Sequence, residues 1–149
     1  MNVKSVILVS LAMIALIATA GVLLVVVGPS DVVTNRYPTL AAARADKLFE
    51  RGWLPEILPP STFQIDTLNN LDLDTSAGRF SFNAAEWTAF KNRLAVGEQR
   101  APFDGWAATV GKKQAAGFSI WYYTDSNTTW AFFCKAEVAY CEYTTWTAI

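Results

Sequence analysis

Three aspartates, Asp66, Asp72 and Asp74, are the residues whose type and spacing come closest to a chemical site. Carboxylates on one strand face could serve as the acid and base of a glycosidase or ligate Ca2+. The Ca2+ reading fails on spacing. In DLDTSAG the glycine falls one position late for an EF-hand loop, and Asn83 stands where the bidentate glutamate should be. Solvated strand-face acids, paired with Arg79, are the plainer expectation. Lys112 and Lys113 could activate a nucleophile, but no Ser-x-x-Lys accompanies them, so a solvated helix end is expected instead. The chain contains no histidine, which removes Ser-His-Asp and Cys-His catalysis together with His-ligated zinc and haem. A Gly-rich phosphate loop and a c-type haem attachment motif are both missing. These residues predict a protein with no catalytic residue, no cofactor and no metal.

What must hold these residues is a chain of 149 residues with 12 basic and 13 acidic side chains, a formal net charge of −1. That length suits one domain, and the balance leaves no excess of cations for nucleic acid. Residues 6–27, VILVSLAMIALIATAGVLLVVV, carry no charge. At about 1.5 Å per residue they make roughly 33 Å of helix, enough to cross a bilayer. A cleavable signal peptide is the competing reading, since Ala18-Thr19-Ala20 has the small-x-small form. Cutting there would leave an apolar new terminus, so an uncut, single-pass signal anchor is expected. With Lys4 on the cytoplasmic side, residues 1–5 become a stub, 6–27 the transmembrane helix, 28–38 a juxtamembrane link and 39–149 an exported domain. The location this implies is a bacterial inner membrane, with residues 31–149 periplasmic.

Within that domain, Thr39 offers an N-cap to a helix over 39–51, with Gly52 and Pro55 ending it. Residues 54–60 can be neither regular helix nor central strand. Residues 63–68 and 78–83 read as strands, and Leu71 and Leu73 alternate with Asp72 and Asp74 in the same manner. Asn83 and Glu86 resemble a capping box for a helix to Leu94, burying Trp87, Phe90 and Leu94. A further short helix is predicted over 106–114.

Residues 117–124, 129–135 and 140–146 are aromatic and β-branched, which predicts a three-stranded meander. Cys134 and Cys141 read as a disulfide, with two buried free thiols as the alternative. A four-residue loop, 136–139, lets Lys135 and Tyr140 close the hairpin and sets Phe132 opposite Tyr143 and Trp130 opposite Thr145. Carried back one strand, the register puts Tyr123 beside Trp130 and Trp121 beside Phe132. One face then carries Trp121, Tyr123, Trp130, Phe132, Tyr143 and the cysteines. The other carries Phe118, Ile120, Tyr122, Phe133 and Tyr140. Two aromatic faces exceed what a two-layer domain needs. Either helices cover both, or one face docks a protein, or it stacks carbohydrate; Tyr122, Tyr140, Phe118 and Phe133 are the partner-binding candidates.

The strings RGWLPEILPPS, NNLDLDTSAGRFSF and FFCKAEVAYCEY resemble an uncharacterised family of small bacterial envelope proteins with one N-terminal anchor. That resemblance implies an exported domain and brings no catalytic residues. The fold expected is α+β: a transmembrane helix, then an antiparallel sheet with the C-terminal meander and two or three helices. The function expected is a non-catalytic accessory subunit, held by bilayer lipid through its span. It would dock on a larger membrane protein complex, a bioenergetic one among the candidates. The alternatives are a stand-alone envelope binding protein of inhibitor or immunity type, and, third, a carboxylate-based hydrolase.

Overall fold

Alternating inward and outward side chains along six segments of this chain build one antiparallel sheet. The computed structural model describes residues 31–97, 99 and 101–147. Its strands are β1 (Val32–Thr39), β2 (Phe63–Asn70), β3 (Thr75–Ser81), β4 (Ser119–Asp125), β5 (Thr128–Lys135) and β6 (Tyr140–Thr147), in the spatial order β1-β2-β3-β6-β5-β4. Between them lie three short helices, α1 (Leu40–Ala45), α2 (Trp87–Lys91) and α3 (Trp106–Ala115). Two meanders, each of three consecutive strands, therefore meet along β3 and β6.

This corrects the expected α+β fold. The sheet has six strands where a three-stranded meander beside helices was predicted, and the helices are short. Among the described residues no helix is long and apolar enough to cross a membrane. The expected span at 6–27 and the stub at 1–5 lie outside the described residues. The stretch read as a link is also different, because Val32–Thr39 is an edge strand paired with β2 and the folded unit begins at Asp31. Pro38 suits an edge, where no neighbouring strand needs its missing N–H. Tyr37 fixes the strand to the body: it is buried, and its hydroxyl donates to Asp46 at 2.5 Å. Burial, and then that carboxylate, push the Tyr37 pKa up to about 12.

Thr39 caps α1 as expected, accepting from the Ala42 N–H, but the helix ends at Ala45. Lys47 turns to a positive φ, and Leu48 and Leu54 drop fully into the core. The Asn83 capping box is intercepted. Asn83 accepts from the Ala85 N–H, but its own N–H donates to Ser61 Oγ, and Ser61 in turn donates to Glu86. A short 3-10 turn followed by α2 results. Leu71 to Asp74 form the β2–β3 turn and not a strand, since Asn70 Oδ1 accepts from the N–H groups of both Asp72 and Leu73.

The C-terminal register is as read. Cys134 faces Cys141 in a disulfide, Phe132 faces Tyr143, Trp130 faces Thr145, and Tyr123 and Trp121 face Trp130 and Phe132. On the face bearing the disulfide, Ile65, Phe80, Phe132 and Tyr143 pack with Leu48, Leu54 and Ile57 of the irregular segment and Phe90 of α2. Gly78 lies beneath the Tyr143 ring. A Cβ there would meet the ring 2.8 Å from Cε1 and run into the Asp66 carbonyl oxygen. Tyr143, Ser76 and Asn69 close this layer with buried hydrogen bonds of 3.1 and 2.7 Å.

Candidate docking face

Among the described residues, the second face of the sheet is covered on one side only. Over β4, β5 and β6, Trp106 of α3 packs with Tyr122, Ala131, Phe133 and Trp146, its ring centroid 5.2 Å from Trp146. Over β1, β2 and β3 the same face stays open. Thr34, Leu68, Ala77 and Thr144 oppose one another in register across it, and Leu68 keeps 47% of its surface exposed.

Beside these small residues runs a charged row set by strand pairing alone. Arg36 opposes Asp66, Asp66 opposes Arg79, Arg79 opposes Glu142, and Glu142 opposes Phe133. Asp66 accepts from Arg79 Nε at 2.7 Å, with a second guanidinium nitrogen at 2.6 Å, and Arg36 Nε sits 3.3 Å from its other oxygen. The Asp66 carboxylate holds the Arg79 guanidinium pKa above its usual value. Lys113 of α3 pairs with Glu142, whose other oxygen accepts from the Tyr140 hydroxyl at 3.3 Å. Burial, then the Glu142 charge, raise the Tyr140 pKa. A hollow of about 310 Å3 lies against Leu68, Ala77, Arg79 and Glu142. A second, of about 630 Å3, follows Arg36, Asp66, Arg79 and Tyr140 toward the edge.

The structure separates the four aromatic candidates. Tyr122 and Phe133 are 4% and 3% exposed beneath α3, so they pack the domain where an outward surface was expected. Phe118 is half-buried at the rim of the same cluster, and Tyr140, also half-buried, stands 6.3 Å from it and borders the open hollows. Sequence reading took two aromatic faces as a surplus, but α3 consumes one of them.

The acidic trio is dispersed. Asp66 lies on the sheet between two arginines, while Asp72 and Asp74 sit in the β2–β3 turn. There Asp72 shares a hydrogen bond with Asp31, which raises its pKa. Lys113, expected at a solvated helix end, instead pairs with Glu142. Among the described residues, no group of three or more His, Cys, Asp or Glu is placed to hold a metal. What the reading missed is Arg36. Its signal, an arginine alternating with Tyr37 in VVTNRYP, was hidden by assigning that stretch to a link.

Residues 31–81 are similar to the YbbD head domain family. That match takes in β1, α1, β2 and β3, the half of the sheet that carries the open face. It reaches RGWLPEILPPS and most of NNLDLDTSAGRFSF but not the cysteine hairpin. Comparison with curated proteins and with solved structures gives no match.

Proposed function

We propose that this protein is a non-catalytic accessory subunit that docks on a larger membrane protein complex, held near the bilayer by residues 6–27. The observation that carries this reading is the uncovered half of the sheet. A row of small residues with an exposed leucine, walled by α3 and edged by paired charges, is a shape suited to receiving another protein. Asp66 is engaged by two arginines, and Asp72 and Asp74 lie on an exposed turn with no enclosing cleft around them among the described residues, which favours binding over hydrolysis.

The test is site-specific cross-linking in membranes of the native host. A photo-activated benzoyl-phenylalanine at Leu68 should give one discrete adduct, identified by mass spectrometry, with a membrane protein that also co-purifies in mild detergent. The same probe at exposed Val138, on the β5–β6 loop, should give none. Equal adducts at both positions, or none at Leu68, overturn the reading.

A further inference from the structure

The hydrogen-bonding capacity left over in the charged row is nearly all of one kind, and that says what it can hold. Both oxygens of Asp66 are engaged, one by each arginine, and both oxygens of Glu142 are engaged, by Lys113 and Tyr140. The two guanidiniums, with five N–H donors each, use only a fraction of theirs on Asp66. They also lie outermost. The Arg36 side chain is 81% exposed and the Arg79 side chain about half exposed, above a carboxylate that keeps 26%. Carboxylates of the row are thus spent inward, and donors face outward.

From this the geometry points to an acidic segment of a partner protein as the occupant of the open face, with two of its carboxylates taken by Arg36 and Arg79 beside the apolar strip of Leu68 and Ala77. This rests on the docking reading above and names the chemistry of its partner. Arg36 and Arg79 stand on β1 and β3, two strand spacings apart, or about 9.5 Å. Their guanidiniums lean together onto the Asp66 carboxylate between them, and alternate residues of an extended chain share one face about 7 Å apart, so a Glu-x-Glu pattern offers one carboxylate to each fork. The pairing is bidentate in kind, which a guanidinium favours for carboxylates. The row and its rim carry Arg36, Arg79, Lys113 and Lys135 against Asp66 and Glu142, an excess of cations on a chain whose formal charge is −1. A nucleic acid fits poorly, because the row turns only two guanidiniums outward and each is already paired with Asp66.

The experiment uses the full chain in mild detergent and a labelled peptide containing Glu-Ala-Glu, with its Gln-Ala-Gln counterpart, followed by fluorescence anisotropy. The glutamate peptide should bind at least tenfold tighter than the glutamine peptide and lose that margin in the Arg36→Gln, Arg79→Gln double variant. Lys112→Gln, an exposed lysine of α3 outside the row, should leave it unchanged. Because losing both arginines strands Asp66, a second variant guards against misfolding. Asp66→Asn releases both forks and should tighten the glutamate peptide severalfold. Equal binding of the two peptides, or weaker binding by Asp66→Asn, overturns the proposal. So does preferential binding of phosphatidylglycerol vesicles over the peptide, which would assign the forks to lipid phosphate. A Leu68 cross-link to a partner alongside failed peptide binding would sink only the acidic chemistry, whereas peptide binding without that cross-link would sink only the docking reading.

Discussion

Two glycines on this chain answer the same substitution in opposite ways, and the difference is local sterics. Gly78 sits under Tyr143 and against the Asp66 carbonyl, so a methyl group there must displace backbone. Gly78→Ala should cost about 3 kcal/mol, the upper part of the usual range for overpacking a dense core. Gly111, inside α3, has open space around its Cβ position, and Gly111→Ala should add about 1 kcal/mol through helix propensity. Urea denaturation of the two variants measures both signs. Asp72 offers a third single-residue test. It is raised in pKa by Asp31 beside it on an exposed turn, so Asp72→Asn should leave stability at pH 7 unchanged or slightly higher. A marked loss in thermal melting would show the carboxylate to be needed. Residue identity made some of this legible: solvated strand-face acids paired with Arg79 were expected, and of the three aspartates Asp66 makes that pair. Gly78 could not be singled out, because nothing local reveals which distant ring lies over it.

Among the elements, the β5–β6 hairpin and the edge strand β1 respond to different solution conditions. The Cys134–Cys141 bridge closes a short loop, and loop-closure entropy puts its contribution at about 2.5 kcal/mol. Reduction should therefore lower the melting temperature by roughly 10 °C. An unchanged melting curve after verified reduction would contradict this. Strand β1 responds to alkali through Tyr37. In the unfolded chain its hydroxyl titrates near its ordinary value of 10, whereas in the fold it titrates at about 12. Above pH 10 the unfolded state holds fewer protons than the folded one. Stability conferred on the neutral hydroxyl is present in full below pH 10 and is lost as pH rises toward 12, by about 3 kcal/mol at most. Urea midpoints at stepped alkaline pH should fall, and Tyr37→Phe should flatten that slope. Strand β1 was also the least legible element. Its inward residues are Val33, Asn35 and Tyr37, too weakly apolar to show a period of two, and its partner β2 follows after α1 and a long irregular stretch with no hairpin turn between. The C-terminal hairpin was legible because two cysteines and alternating aromatics fix a register with local information alone.

At the scale of the whole molecule, the decision about which surfaces are covered falls to α3. By lying over β4 to β6 it turns Tyr122 and Phe133 into core, and among the described residues it leaves that face of β1 to β3 uncovered, something no strand pattern could announce. Truncating Trp106, the main contact of that helix, should test this division. Trp106→Ala is expected to cost about 3–5 kcal/mol and to expose the buried aromatics to a hydrophobic dye, while the pairing of Arg36 and Arg79 with Asp66 on β1 to β3 stays in place. The join between the two meanders carries a kinetic consequence. Each meander contacts mainly its own neighbouring strands, but Ala77–Ser81 must find Tyr140–Thr144 across about half of the domain's sequence. Closing that long loop is the entropically expensive event, so it should come last. In pulsed hydrogen exchange during refolding with the bridge intact, amides between β5 and β6 should gain protection first, and those between β3 and β6 should follow in a slower step. Until that step finishes, β3 and β6 each present an unpaired backbone edge to the solvent, and this interval is when a crowded refolding mixture should aggregate.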